Sequence, residues 1–545
     1  MIKTIFTIVA IVTVSFVFAQ QPQVKVEEGI MEGITLPSGV QSFRGIPFAK
    51  PPVGDLRWKE PQPADHWTGI RKADHFGSSP MQKPIYGDMR FRSPGTSEDC
   101  LYLNVWRPKA DVSGKLPVLV YFYGGGFNAG DGSENRYDGE SFAKEGVIVV
   151  TVNYRLGIFG FFAHPALTAE SPGHASGNYG LLDQYAALKW VRRNISAFGG
   201  DPDEVTIGGE SAGSMSVSAQ MTSPLSKGLF KRAIGQSGSV FNLRYGAISL
   251  AEQEKQGVAF ATKVNVDNLA HLRAIPAAEL LDRASEPGAF ATRVIIDGYF
   301  LPKSPLAIFE GGEQSKVALL AGWTSTEAPY AAFMGKSYPS PHMYEKLVRE
   351  QYGDKADEVL KLYPGKTEAQ VIRSATALAS DNFIVYSTWK WLDLQRKNSG
   401  QSVYVYVFGK TRPAMRPAYN NVQTGLAGGI IKKSDNQAKE DLPPALTGAS
   451  HASDIEYLLG NLKTNDVFAW TDDDYKASDL GQRYFINFIK KGNPNGAGLA
   501  QWPETKATDK RMHILYLDSE AKAVPEEFRD RYLFLDQLFI EKERH

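Results

Sequence analysis

A single cysteine, Cys100, stands in a chain of 545 residues. It has no partner with which to form an intramolecular disulfide, so the fold must rest on its core alone. Charge of one sign is equally scarce: 60 Lys and Arg offset 60 Asp and Glu. No long single-sign run occurs, which excludes the basic footprint of a nucleic-acid binder and gives no reason to expect a strongly charged partner. Beyond the first 19 residues no stretch reaches 18 consecutive apolar residues, so no membrane span is expected there. Internal repeats, low-complexity linkers, metal-ligand spacings and the phosphate loop G-x-x-x-x-G-K-[ST] are also missing. No metal or cofactor is therefore expected.

The N-terminus carries the one apolar leader. Met1-Ile2-Lys3 precedes an uncharged stretch from Thr4 to Ala19, and Val17-x-Ala19 places small residues before a cleavage point. This reads as a secretory signal, residues 1–19, with the mature chain secreted or periplasmic and not stably inserted in a membrane. The remaining residues, 20–545, show no boundary and are expected to form one domain, because large α/β folds absorb such lengths.

Apolar runs then alternate with helical periodicity. Leu116-Pro117-Val118-Leu119-Val120-Tyr121-Phe122 and Val147-Ile148-Val149-Val150-Thr151-Val152 suit strands buried on both faces. Leu181, Tyr185, Leu188, Val191, Ile195 and Phe198 recur at three or four residues, and Gly199-Gly200 stops that helix. Val205-Thr206-Ile207, Ala233 to Gly238, Val317 to Gly322, Val403 to Phe408 and His513 to Leu517 read as further strands. Residues 248–290 and 340–400 are helix-rich. Such alternation predicts a mostly parallel sheet with helices on its faces.

One turn organises the rest. Gly209-Glu210-Ser211-Ala212-Gly213 reads G-x-S-x-G between a β-branched run and a helical segment, which places Ser211 at the apex of a strand–turn–helix. In α/β-hydrolases the partners of such a serine follow in the order acid, then histidine. Five histidines follow Ser211. His513 starts a strand, His545 ends the chain, and His271 and His342 lie in helical or proline-flanked surface segments. His451, within Gly448-Ala449-Ser450-His451-Ala452-Ser453, has the small neighbours that let an imidazole reach across a cleft. Glu327, in the loop after the strand at 317–321, is the first candidate for the acid. Asp297 and Asp381 are the alternatives, and a turn or cap role suits Asp297 better. Gly124-Gly125-Gly126 follows a buried strand, so its amides, with that of Ala212, can present donors to an oxyanion.

These pieces resemble the type-B carboxylesterase/lipase family, which includes the cholinesterases and bacterial para-nitrobenzyl esterases. The resemblance runs from about Gly45 to Pro503. It is carried by Gly45-Ile46-Pro47-Phe48-Ala49, Glu98-Asp99-Cys100-Leu101-Tyr102-Leu103-Asn104, Tyr123-Gly124-Gly125-Gly126-Phe127, Asn153-Tyr154-Arg155-Leu156-Gly157, Gly177 to Gln184 and Gly199-Gly200-Asp201-Pro202. It implies the α/β-hydrolase fold, with a large mostly parallel central sheet, helices on both faces and helical insertions around the site's mouth. It implies Ser211 as nucleophile, Glu327 as the acid and His451 as general base. Gly125, Gly126 and Ala212 become the oxyanion donors, with Glu210 and Ser237 supporting the site from behind. The expected activity is hydrolysis of a small-molecule carboxylic ester by a monomer or loose homodimer, with no cofactor, and with the limb of its activity that reports the base following a histidine pKa of roughly 6 to 7. A lipase or acyltransferase would use the same residues, and a binding homologue would dispense with one of them.

Two departures from the family pattern stand out. Many members pair the cysteine of E-D-C with an upstream cysteine, where this chain has Ser79-Pro80-Met81-Gln82, so Cys100 should be free and buried and the loop before it more mobile. Cholinesterases carry a tryptophan in that loop for a quaternary ammonium. This chain has none between Trp67 and Trp106, but has Arg90 and Arg92. That argues against a choline ester and admits an anionic substrate. The substrate pockets are expected from segments such as 280–293, 323–345 and 410–445.

Overall fold

The computed structural model describes residues 21–109, 114–243, 245–419, 421–432 and 447–544. The expected leader 1–19, residues 433–446, which include the end of the expected pocket segment 410–445, and His545 lie outside the described residues.

Eleven strands form the main sheet. In chain order they are β1 (Ile34–Thr35), β2 (Gln41–Pro47), β3 (Tyr102–Arg107), β4 (Leu116–Phe122), β5 (Ile148–Val152), β6 (Gly200–Glu210), β7 (Arg232–Gln236), β8 (Ala318–Thr324), β9 (Val403–Phe408), β10 (His513–Leu517) and β11 (Ala521–Pro525). Across the sheet they run β11-β10-β9-β8-β7-β6-β4-β5-β3-β2-β1. Every pairing from β10 to β5 is parallel, and the outer pairings at both ends are antiparallel. The parallel interior explains the unbroken apolar runs: β5 and β7 are buried at every residue, as strands covered on both faces must be.

Helices cover both sides of the sheet. Among them are α1 (Tyr179–Asn194), α2 (Ala212–Thr222), α3 (Glu368–Ser380), α4 (Tyr386–Asn398) and α5 (Asp472–Lys491). α1 falls where the periodicity places it. Leu181, Leu188 and Val191 are buried, a 3₁₀ turn carries Ile195 and Phe198, and Gly199 closes it at φ 84°. That left-handed conformation is one glycine takes without steric cost. β6 begins at the very next residue and runs well beyond the β-branched triplet, through Gly208 and Gly209 to Glu210.

Some of the quoted sequence motifs have structural work. Arg155 grips Asp183 through Nε at 2.8 Å and Nη2 at 2.7 Å, and its backbone N–H donates to the same carboxylate at 3.0 Å. Both residues are buried. This bidentate pair ties the chain leaving β5 to α1, and removing one partner would strand a buried charge. Cys100 is free and buried. In place of a disulfide, the loop before it is closed at its neck by backbone: Ser79–Pro80 pairs in parallel with Thr96–Ser97, and Ser79 N–H donates to Gly95 O at 2.9 Å.

Candidate active site

The C-terminal ends of the parallel strands converge on one crevice, where ligands bind in open α/β sheets. β6 delivers Ser211 there through a turn that only its glycines permit. A Cβ at Gly213 would sit 2.0 Å from Phe122 O, and one at Gly209 would sit 2.5 Å from the backbone of Gly213. With both side chains absent, α2 packs directly against the edge of the elbow and Ser211 is forced to φ 55°, ψ −120°. Three further non-glycine residues at this end of the sheet also have positive φ: Phe127 (59°), Ser237 (53°) and Ala452 (63°). Four of the seven such residues among those described thus surround one point, which is where backbone strain accumulates in working sites.

A chain of three side chains crosses that point. Ser211 Oγ lies 3.0 Å from His451 Nε2, and His451 Nδ1 lies 2.6 Å from Glu327 Oε2. The other Glu327 oxygen accepts from Ser237 Oγ at 2.6 Å and from the Thr324 N–H at 2.7 Å. Phe383 meets the imidazole edge-on, with ring centres 4.9 Å apart. The alternative acids are occupied elsewhere. Asp297 accepts from the Tyr299 and Leu301 N–H groups and from Asn178, a turn-closing role. Asp381 pairs with Arg531 at 2.8 Å and accepts from Tyr363.

Opposite Ser211 runs the glycine loop. A Cβ on Gly125 would lie 2.2 Å from Ala129 O, and one on Gly124 would lie 2.6 Å from Glu210 O. Among the described residues, neither the Gly125 nor the Gly126 N–H is spent on a backbone hydrogen bond. Ala212 is the first residue of α2, so its N–H is one of the donors a helix start leaves unpaired. Gly125, Gly126, Ala212, Ser211, Glu210 and His451 all line one cavity of about 480 Å³.

Buried carboxylates beneath the cavity set its electrostatics. Glu210 is 2% exposed, and its Oε1 stands 3.3 Å from His451 Nε2. Burial pushes its carboxyl up to about 8, although the neighbouring imidazole pulls the other way. Burial alone would depress His451, but Glu210 and then Glu327 outweigh it and raise the imidazole to about 9. Asp454, one turn beyond His451, had no sequence signal beyond that spacing. Its Oδ2 accepts from Gln236 at 3.0 Å and from Tyr406 at 3.1 Å, and Tyr121 donates to Gln236 at 2.9 Å. Strands β4, β7 and β9 are thereby linked to the histidine loop, and burial raises Asp454 to about 6.

The wall residues differ from the sequence expectation. Segment 290–294 and residues 426–427 line the cavity, but 323–345 does not, because Tyr330, Met334 and Tyr344 turn into the core. Tyr86, Met89, Asn242, Tyr245, Phe383 and Ile384 take its place. Neither loop arginine reaches the cavity: Arg92 pairs with Asp138 at 2.7 Å and Arg90 with Asp466 at 3.0 Å.

Known proteins resemble this chain along most of its length. The sequence model of the "Carboxylesterase family" matches residues 20–533. The chain is 35% identical over 493 residues to fumonisin B1 esterase of Sphingopyxis macrogoltabida, covering 88% of this chain and 83% of that protein. It is 34% identical over 517 residues to para-nitrobenzyl esterase of Bacillus subtilis (strain 168), covering 91% and 95%. A solved structure of PNB esterase superposes with a TM-score of 0.77 at 31% identity, covering 94% of this chain and 99% of the other. The chain belongs to the carboxylesterase family and is a carboxylic ester hydrolase of the α/β-hydrolase fold.

Proposed function

We propose that residues 20–545 form one hydrolase unit that cleaves carboxylic esters through an acyl-enzyme on Ser211. The observation that carries this reading is the Ser211–His451–Glu327 hydrogen-bond chain facing the unspent amides of Gly125, Gly126 and Ala212 across one cavity. His451 Nε2 takes the Ser211 proton as Oγ attacks the ester carbonyl, and the three amides receive the oxyanion. The imidazolium, steadied by Glu327, then gives its proton to the departing alcohol. Water enters by the same route in reverse and releases the acid. The leader 1–19 directs export in this reading. No helix among the described residues is long and apolar enough to cross a membrane.

The test is a series of para-nitrophenyl esters from acetate to palmitate, run beside a fluorophosphonate probe whose adduct is mapped by mass spectrometry. Turnover that peaks at short acyl chains, with the adduct on Ser211, is the expected result. Turnover with the adduct elsewhere would remove Ser211 from the mechanism, and a peak at long chains would make the enzyme a lipase.

Glu210 displaces the acid limb from its ordinary histidine position. An ionised Glu210 favours the imidazolium, and an imidazolium cannot accept the serine proton, so activity should rise at higher pH than an isolated histidine would dictate. Glu210→Gln removes that negative charge, which lowers the His451 pKa. The acid limb of kcat/KM is expected to move to lower pH by roughly one unit. An unmoved limb in a full pH–rate profile would show that Glu210 does not couple to His451.

A further inference from the structure

Tyr86 reaches the cavity that holds Ser211 from the loop between Pro80 and Gly95, and that loop is pinned on either side of it. On one side Gln82, which is buried, donates through Nε2 to Gly130 O at 2.9 Å and accepts from the Gly130 N–H at 2.8 Å. Gly130 belongs to the turn that follows the glycine triplet, where the Ala129 N–H donates back to Gly125 O at 3.1 Å. On the other side Asp88 is buried against a glycine, since a Cβ on Gly429 would lie 2.0 Å from Asp88 O. The Gly429 N–H donates to Asp88 Oδ2 at 3.3 Å, and the Met89 N–H donates to Tyr86 O at 3.1 Å. Tyr86 thus stands between two anchors, one on the oxyanion loop and one on the segment around Gly429.

Its hydroxyl faces the oxyanion loop. A Cβ on Gly126 would lie 3.5 Å from Tyr86 Oη. The ring is half-buried, and the hydroxyl makes no hydrogen bond with a described residue. Polar neighbours on the cavity wall are engaged with one another or with backbone. Thr292 Oγ1 donates to Asn128 Oδ1 at 2.7 Å, Asn128 Nδ2 donates to Gly126 O at 2.8 Å, and Asn242 Nδ2 donates to Phe383 O at 2.6 Å. Burial, with Glu210 and Tyr245 adding to it, pushes the Tyr86 phenol above its ordinary range, so it keeps its proton and can donate. A bound carbonyl oxygen sits about 3 Å from the Gly126 N–H, so the substrate atoms that come beneath the hydroxyl are those within a few bonds of the scissile carbon. An oxygen there receives the phenol proton, whereas a methylene there leaves the hydroxyl unpaired.

Resting on the esterase reading above, we propose that Tyr86 is a specificity residue whose hydroxyl donates to an acceptor oxygen carried beside the ester group, so that the enzyme prefers oxygenated esters to their hydrocarbon counterparts. Two isosteric pairs test it, one on each side of the ester: methyl methoxyacetate against methyl butanoate, and 2-methoxyethyl acetate against butyl acetate. An ether oxygen accepts but cannot donate, so the pairs isolate donation by the phenol. Each kcat/KM, followed in a pH-stat, is divided by that ester's rate constant with hydroxide, which removes intrinsic reactivity. The expected result is a preference of about fivefold for the ether ester in at least one pair, the size of one net hydrogen bond. Tyr86→Phe, which removes one oxygen, should bring that ratio towards unity. Each enzyme is first titrated with the fluorophosphonate, so that only protein with a reactive Ser211 is counted. If the phenylalanine variant does not label, the preference of the intact enzyme decides alone. An enzyme that labels but shows no preference in either pair overturns the proposal by itself. So does an equal loss for both members of a pair in Tyr86→Phe, which would place the hydroxyl on the oxyanion or in the scaffold. An intact chain that neither labels nor hydrolyses any of these esters overturns the esterase reading, and this proposal with it.

Discussion

Ser211→Ala is expected to lower turnover of a short-chain para-nitrophenyl ester by about 10⁴-fold or more, with KM little changed. The substitution removes one oxygen and little else. Alanine, like serine, carries a Cβ, so the elbow at φ 55° keeps its strain and the glycines at 209 and 213 keep their contacts. The melting temperature should therefore be close to that of the intact protein. The amides of Gly125, Gly126 and Ala212 remain, and such a site retains about 10³-fold catalysis over water from binding and oxyanion stabilisation alone. Steady-state kinetics with thermal melts separate the outcomes. Near-normal turnover would dismiss Ser211 as nucleophile, and a large drop in melting temperature would make the loss of activity a folding effect.

Glu327→Gln is expected to cost about 10³ to 10⁴ in kcat through a change of tautomer. The Glu327 Oε1 position receives two donors, the Ser237 hydroxyl and the Thr324 N–H. A glutamine must satisfy them with its carbonyl oxygen, so its NH₂ group turns to His451 Nδ1. That nitrogen must then accept, which moves the imidazole proton to Nε2 and points it at Ser211 Oγ. The base is lost while the heavy atoms stay in place. The check is kcat against pH together with the rate of fluorophosphonate labelling. Labelling as fast as in the intact enzyme would refute the tautomer argument, because that reaction needs the same proton transfer.

The elbow and the glycine loop were legible in the sequence because local backbone chemistry dictates their residues. No side chain fits at Gly213 beside Phe122 O, or at Gly125 beside Ala129 O, so the motif is written directly into residue types. The sheet was legible because strands buried on both faces must be apolar along their whole length. The choice among Glu327, Asp297 and Asp381 was not fixed by pattern. All three are buried acids near strand or helix ends, and they differ only in what lies across from them: an imidazole, a turn's amides and Arg531 respectively. The cavity wall was hidden for the same reason. Phe383 and Ile384 come from a π-helical turn between α3 and α4, and Asn242 and Tyr245 come from the chain beyond β7. Distant packing places them at the cavity, and no local spacing announces it.

The left-handed residues around Ser211 have a thermal consequence. Each holds its conformation at a cost of about 1–3 kcal/mol, and Phe127, Ser211, Ser237 and Ala452 hold theirs together. The surrounding sheet can impose this only while its own packing is tight. As heat loosens the crevice these residues have the most to gain by relaxing, and even a small relaxation parts Oγ from Nε2. Warming is therefore expected to cost activity before the chain unfolds, so that the durability of its activity would depend less on the core than on how firmly four residues are kept in conformations they would otherwise leave.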